Sequence, residues 1–406
     1  MRMHKLVFWI LWVSLLSMMT GVNAALVYDL QIDPNDAAKA KVELDTRSFD
    51  TVNFEAARSM GDSFTPQLFC KLNSEQVIKL AYQEEQQCES VFWWLNFESV
   101  SELGIDLSQQ QDSFDAQQGW YFLSEWNSLP RIKGNYEVEL CIAGEHCQVL
   151  PTVDEAPLLI VWGLAVKHIQ LAENQVNIST NLEFLFESSQ RWIPRLQSQL
   201  NYLQQVFAEQ ESADWNFVYL SREQSSGSVS GLAGNESLLV NVPVTKGAIA
   251  DKSFAHLLKI SAHEALHFIV QYPNSLWANE SLAEYYAQKS LFGTEYEFDR
   301  PVFAWELQSK QFPFANIGLL EANHLVAQKH LYQYYPLFYL KGAAFWHALD
   351  TSLTAKGFQL DHLVTQLEFD QQGDFDSASA LLFQERLGKA KWQQLRMKYL
   401  DSTIGE

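Results

Sequence analysis

"SAHEALHFIV", residues 261–270, is the stretch whose reading decides the fold. His263 and His267 stand four apart with Glu264 beside the first, inside "FAHLLKISAHEALHFIVQY", whose apolar residues recur at helical spacing as far as Pro273. Residues four apart on a helix lie one above the other, so both imidazoles can reach one metal ion. Zinc takes neutral imidazole nitrogens at roughly 2.0–2.1 Å and, where it is catalytic, keeps one position for water. Glu264 then stands beside that water and off the metal, where a carboxylate serves as general base. Asp251 or Ser253 is placed to cap this helix. The motif fixes only three residues, and two histidines and a glutamate that merely share a buried helix would match it as well.

The next segment separates those readings. "NSLWANESLAEYYAQKSLFG", residues 274–293, has the pattern of a second helix between Pro273 and Gly293, with Glu280 and Glu284 one turn apart on one face. A short turn between the helices lets Glu280 return over the histidines. His263, His267 and Glu280 then form a His₂Glu set, which holds catalytic zinc in hydrolases. Glu284 is free to hydrogen-bond the outer nitrogen of a ligand histidine, and the two glutamates can exchange these roles.

On these residues the sequence resembles the gluzincin metallopeptidases. "HEALH" followed by "WANESLAEY" is similar to their HExxH and W-x-N-E-G-x-x-x-Y motifs. The resemblance implies Glu280 as third zinc ligand, with Trp277 and Asn279 at the matching flanks; Asn279 joins Glu284 as a candidate for supporting the ligands from outside. Ser281 stands where that motif has Gly, and the gap from His267 to Glu280 is shorter than in aminopeptidase N-like enzymes. "FYLKGAAFWHAL", residues 338–349, resembles their Y-x-K-G-A segment, which implies that Tyr339 donates a hydrogen bond to the oxyanion of the tetrahedral intermediate. A phenol is neutral at pH 7 and suited to that task.

Upstream, a long helical pattern over residues 180–210, the strand "WNFVYLS", a Gly/Ser-rich loop and the strand "SLLVNVPV" follow the order of a zincin N-terminal subdomain. Such folds place an edge strand over the metal to pair with extended substrate, and "SLLVNVPV" is the expected edge. In "GLAGN", Gly231–Asn235, Gly234 stands where the aminopeptidases have a glutamate that holds the substrate amine, so aminopeptidase specificity is not implied.

Before residue 153 the period changes to two. "ALVYDLQID", "QLFCKL", "ESVFWWLNFES", "GWYFLSEW" and "NYEVELCIA" are short, aromatic and β-branched, as in a small β-sandwich. "PTVDEAP", residues 151–157, reads as a linker. "LLIVWGLAV" after it reads as a buried strand opening the second domain. Cys70, Cys88, Cys141 and Cys147 all lie in the first half, an even count that reads as two disulfides in an exported chain. Three connectivities are possible, and nearness favours Cys70 with Cys88 and Cys141 with Cys147.

At the start, Arg2 and Lys5 precede an apolar run from Leu6 to Met19 and then "GVNA", the pattern of a signal peptide cleaved after Ala24. The run falls short of the roughly 20 residues that span a bilayer. The formal charge is −21, and the leader carries two basic and no acidic residues, so the mature chain is more negative still. Nucleic acid and anionic membrane surfaces are disfavoured partners.

The sequence therefore predicts an α+β protein. A β-rich accessory domain over residues 25–155 precedes a gluzincin-like domain over 158–406, exported to a periplasm or secreted, without stable membrane insertion. The expected activity is hydrolysis of peptide or protein substrates with one zinc ion on His263, His267 and Glu280, Glu264 as base and Tyr339 as oxyanion donor. Two other readings share these residues: a binding or assembly protein with structural zinc, and a zinc hydrolase of non-peptide substrates. Oligomeric state is not set by any of these features.

Overall fold

Alternation in the N-terminal half becomes sheet. A computed structural model describes residues 26–58, 65–171, 174–207, 215–226, 230–235, 237–246 and 248–401; the leader expected over residues 1–24 lies outside them. Strand Leu26–Asp33 runs antiparallel to Asp36–Asp45 and parallel to Val138–Ile142, within a seven-stranded sheet. Tyr28, Leu30, Val42 and Leu44 point inward from alternate positions and are fully or almost fully buried. A four-stranded sheet containing Trp120–Ser124 shares their core through Phe114, Leu123 and Ile160. Disulfides join Cys70 to Cys88 and Cys141 to Cys147, the second pair facing each other across a hairpin.

The stretch read as the first strand of the second domain is divided. Leu159–Trp162 pairs antiparallel with Trp120–Ser124 and so completes the N-terminal sheet. Gly163 then turns the chain at φ +88°, packed so closely that an added Cβ would lie 2.4 Å from the Gly119 carbonyl oxygen. Only from Val166 does the chain enter the next sheet. Leu158, Leu159 and Ile160 are buried, whereas beyond Gly163 Ala165 and Val166 are exposed, so the apolar run joins a core strand to a surface one and glycine marks the break.

That second sheet runs in the order Val166–Leu171, Asn174–Thr180, Trp215–Glu223, Ser237–Thr245, Gly231–Ala233. "SLLVNVPV" is therefore an interior strand, and the edge is Gly231–Ala233, inside "GLAGN". The reason lies in burial: every residue from Ser237 to Val244 is buried. Leu238, Val240 and Val242 face the helices, while Leu239 faces the N-terminal domain. A strand covered on both faces reads as an unbroken apolar run.

The two halves meet over Ile105, Leu107, Trp120, Phe122 and Leu159 on one side and Val218, Leu220 and Leu239 on the other. Asn241 Nδ2 donates to the Ile105 carbonyl at 3.2 Å, and Arg222 pairs with Asp106 at 2.9 Å. The linker is also held, since the Arg58 guanidinium donates to the carbonyls of Thr152, Val153 and Glu155 while pairing with buried Glu125. Asn235 N–H donates to the Pro157 carbonyl at 2.8 Å.

Among the described residues no helix is long and apolar enough to cross a membrane. Asp112 in the N-terminal half is buried, accepts from the Ser124 N–H at 2.9 Å, and contacts the Ser128 hydroxyl. Burial drives its pKa up to about 7, against the pull of those hydrogen bonds. A carboxyl raised above its unfolded value binds its proton more tightly when folded, so its contribution to stability is present below about pH 4 and is lost as pH rises through about 7. Asp112→Asn should flatten this part of the stability profile; denaturant titrations at pH 5 and pH 8 measure it, and an unchanged difference between them contradicts the assignment.

Candidate active site

The HEALH helix spans Asp251–Ile269, with Ala250 at its cap position. Asp251 thus lies inside the first turn, and neither it nor Ser253 is the cap. The helix ends where Val270 turns extended, four residues after Leu266, whose carbonyl takes the Val270 N–H. The second helix, Leu276–Lys289, begins after a short turn. Asn279 closes that turn by accepting from Tyr272 N–H at 2.7 Å and donating to its carbonyl at 3.0 Å. Its side chain thereby braces the helix connection. Trp277 anchors the same helix through Nε1 to the Gly373 carbonyl at 2.7 Å.

This turn brings Glu280 back over the histidines. The Nε2 atoms of His263 and His267 face each other at 3.3 Å, and Glu280 Oε2 lies 3.4 Å from the first and 3.8 Å from the second. One ligand atom from each of the three lies within 4.8 Å of the others. Glu284 lies on the opposite side of His263, with Oε2 3.3 Å from Nδ1. The structure thus separates the two glutamates, Glu280 on the converging side and Glu284 behind.

Glu264 is half-buried beside the cluster, and its Oε1 lies close to Gly231 of the edge strand, where an added Cβ would stand 2.3 Å away. Tyr339 lies in a π-helical turn, Phe338–Gly342, of the kind often found at functional sites. Its ring centroid is 5.5 Å from that of His263, and its hydroxyl interacts with Glu280. The crossing that sets this distance is close: a Cβ on Gly342 would meet Ser281 Cβ at 2.3 Å. Ser281, the departure from the family motif, fits because the glycine is on the facing helix, and its Oγ accepts from Trp346 Nε1 at 2.8 Å.

Two groups near the site escaped the sequence reading. Tyr335, four residues before Tyr339, reaches both Glu280 and the Tyr339 hydroxyl. Lys259, four before His263, pairs with Glu284 at 2.7 Å. Their spacing from recognised residues, one helical turn in each case, was the available signal.

The electrostatics are those of a cation site. Burial opposes charge on His263, yet hydrogen bonds to Glu280 and Glu284 outweigh it and raise its pKa to about 10. Burial lowers His267 to about 4. Burial also works against charge on Glu280, but His263 and His267 hold it at about 2. Glu264 is pushed up to about 7 by burial, with His263 opposing. Two imidazole nitrogens 3.3 Å apart can share only one proton, and a carboxylate oxygen converges on both. The donor set and its charge fit a zinc ion.

Among solved structures, an aminopeptidase N family protein from Idiomarina loihiensis matches 94% of this chain and 77% of its own, with a TM-score of 0.62. The two share a fold. Identity is 12%, so the likeness is one of architecture. An M1 zinc metallopeptidase from Deinococcus radiodurans, bound to a Tyr-Ser-Ala substrate, aligns over 94% of this chain and 95% of its own at 13% identity and a TM-score of 0.45. Yeast LTA4 hydrolase with bestatin aligns over 94% and 68% at 10% identity and 0.45. No protein-family model and no curated protein matches the chain. The likeness is to the architecture of this chain, two sheet-rich parts followed by helices.

Proposed function

We propose that this chain is an exported zinc metallopeptidase with His263, His267 and Glu280 as metal ligands. The observation that carries the proposal is the convergence of those three side chains with Glu264 beside them against Gly231 and Tyr339 facing His263. A zinc ion held there supplies Lewis acidity, lowering the pKa of water toward about 7 and polarising a carbonyl. Glu264 accepts the proton of the attacking water and passes it to the leaving amine. Tyr339 donates to the carbonyl oxygen as negative charge develops on it. Glu284 holds the His263 ring from behind.

Substrate alignment falls to the edge strand. Gly234 N–H donates to the Ser237 carbonyl and Asn241 N–H to that of Ser230. In an antiparallel ladder hydrogen-bonded pairs alternate, so the peptide groups of Leu232 face the sheet while those of Gly231 and Ala233 face its open edge. An extended peptide pairing there runs past Glu264. Gly231→Ala would place its Cβ 2.3 Å from Glu264 Oε1 and 2.6 Å from Ile260 Cγ2. Displacing the base by about 1 Å costs on the order of 100-fold in turnover. Steady-state kinetics check this, and wild-type turnover in a folded Gly231→Ala protein contradicts the placement.

The leader motif and the two disulfides support export to a periplasm or beyond. The test of function is a peptide mixture incubated with the zinc-loaded protein and with Glu264→Gln. New termini produced only by the first are expected. Their position, at the first residue or internal, separates aminopeptidase from endopeptidase. No cleavage by either protein favours structural zinc or a non-peptide substrate.

A further inference from the structure

Behind Glu284 lie contacts to which the hydrolytic reading assigns no purpose. Lys259 Nζ donates to Glu284 Oε1 at 2.7 Å, and Gln288 Nε2 donates to the same oxygen at 2.8 Å. The other oxygen, Oε2, faces His263 Nδ1 at 3.3 Å. The side chain of Glu284 is 8% exposed and that of Lys259 22%, so the pair is shielded from competing water and salt. Lys259 also lies over the Phe298 ring at 5.5 Å and close to His256, which packs on that ring.

Each carboxylate oxygen therefore has its own task. A free carboxylate turns about its last bond, and an imidazole turns broadly about χ2. Tying Oε1 to two donors removes the first freedom, and leaving Oε2 for Nδ1 removes the second. With Glu284 Oε2 facing Nδ1 from behind, Nε2 is the nitrogen presented to the metal, the arrangement that raises ligand basicity. We infer that Lys259 is a positioning residue for the metal centre, pinning Glu284 so that Glu284 in turn fixes the His263 ring for zinc. This inference rests on the reading of His263, His267 and Glu280 as zinc ligands.

A lysine that merely staples two helices would change thermal stability and leave metal binding alone. Zinc affinity separates the two, measured on the full chain by competition with a fluorescent chelator. Lys259→Met and Glu284→Gln should each weaken zinc binding by about 10-fold. Because they act through one contact, the double variant should lose no more than about 10-fold. Lys259→Arg, which keeps the cation, should bind within about threefold of wild type. Lys259→Gln gives the same comparison if Lys259→Met does not fold. Wild-type affinity in Lys259→Met, or losses that multiply to about 100-fold in the double variant, overturns the inference. His263→Ala is the separate control: undiminished zinc binding there refutes the ligand assignment itself, whatever Lys259 does.

Discussion

Glu264→Gln is expected to lower peptide hydrolysis by about 10²–10⁴-fold while the protein retains its zinc. Glutamine matches glutamate in volume and can occupy the same space beside Gly231, but an amide cannot accept and return a proton. Metal content should hold because the proposed ligand atoms belong to His263, His267 and Glu280, with Glu264 outside that converging set. Two measurements on one preparation decide the matter: zinc by elemental analysis and turnover of a cleaved peptide. A variant that loses zinc makes Glu264 a structural member of the site. One that keeps full activity removes it from the mechanism.

Tyr339→Phe should lower kcat by about 100-fold or more with little change in KM. Burial, reinforced by Glu280, drives the phenol pKa well above its ordinary value, so the hydroxyl keeps its proton and remains a donor. The bond it offers grows as the carbonyl oxygen becomes anionic, so its loss falls on the transition state rather than on substrate binding. Phenylalanine preserves the ring beside His263 and Tyr335 and the packing of the π turn. A rise in KM at constant kcat would assign Tyr339 to substrate binding instead. Equal losses of kcat and zinc affinity would make it a brace for Glu280.

The parts of the site that the sequence revealed are those written in local spacing. His263 and His267 are one turn apart on one helix, and Glu280 follows after a turn too short to carry it elsewhere. Asn279 was recognisable as part of a motif, but its bracing of Tyr272 depends on the shape of the turn. The edge strand was misread because Gly231–Ala233 is only three residues long, too short to show a period, whereas the interior strand beside it is conspicuous. The sheet that Leu159–Trp162 joins was illegible for a related reason. Nothing within "LLIVW" distinguishes pairing with Phe122 from pairing with the following sheet; that choice is made by residues far away in the chain. Lys259 and Tyr335 owe their importance to neighbours on other helices, so their own positions looked like ordinary surface and core.

The apolar contact between Ile105, Leu107 and Leu159 on one side and Val218, Leu220 and Leu239 on the other bears on how such a chain can change over time. The same Leu159 and its neighbour Pro157 crowd Gly234 at the end of the edge strand, leaving no room for a Cβ there. Exchange of the N-terminal half for another module would have to be matched by polar replacements at Val218, Leu220 and Leu239 and by a new support for that strand. Leu159 thus bears on one end of a three-residue strand whose other end, Gly231, packs on Glu264.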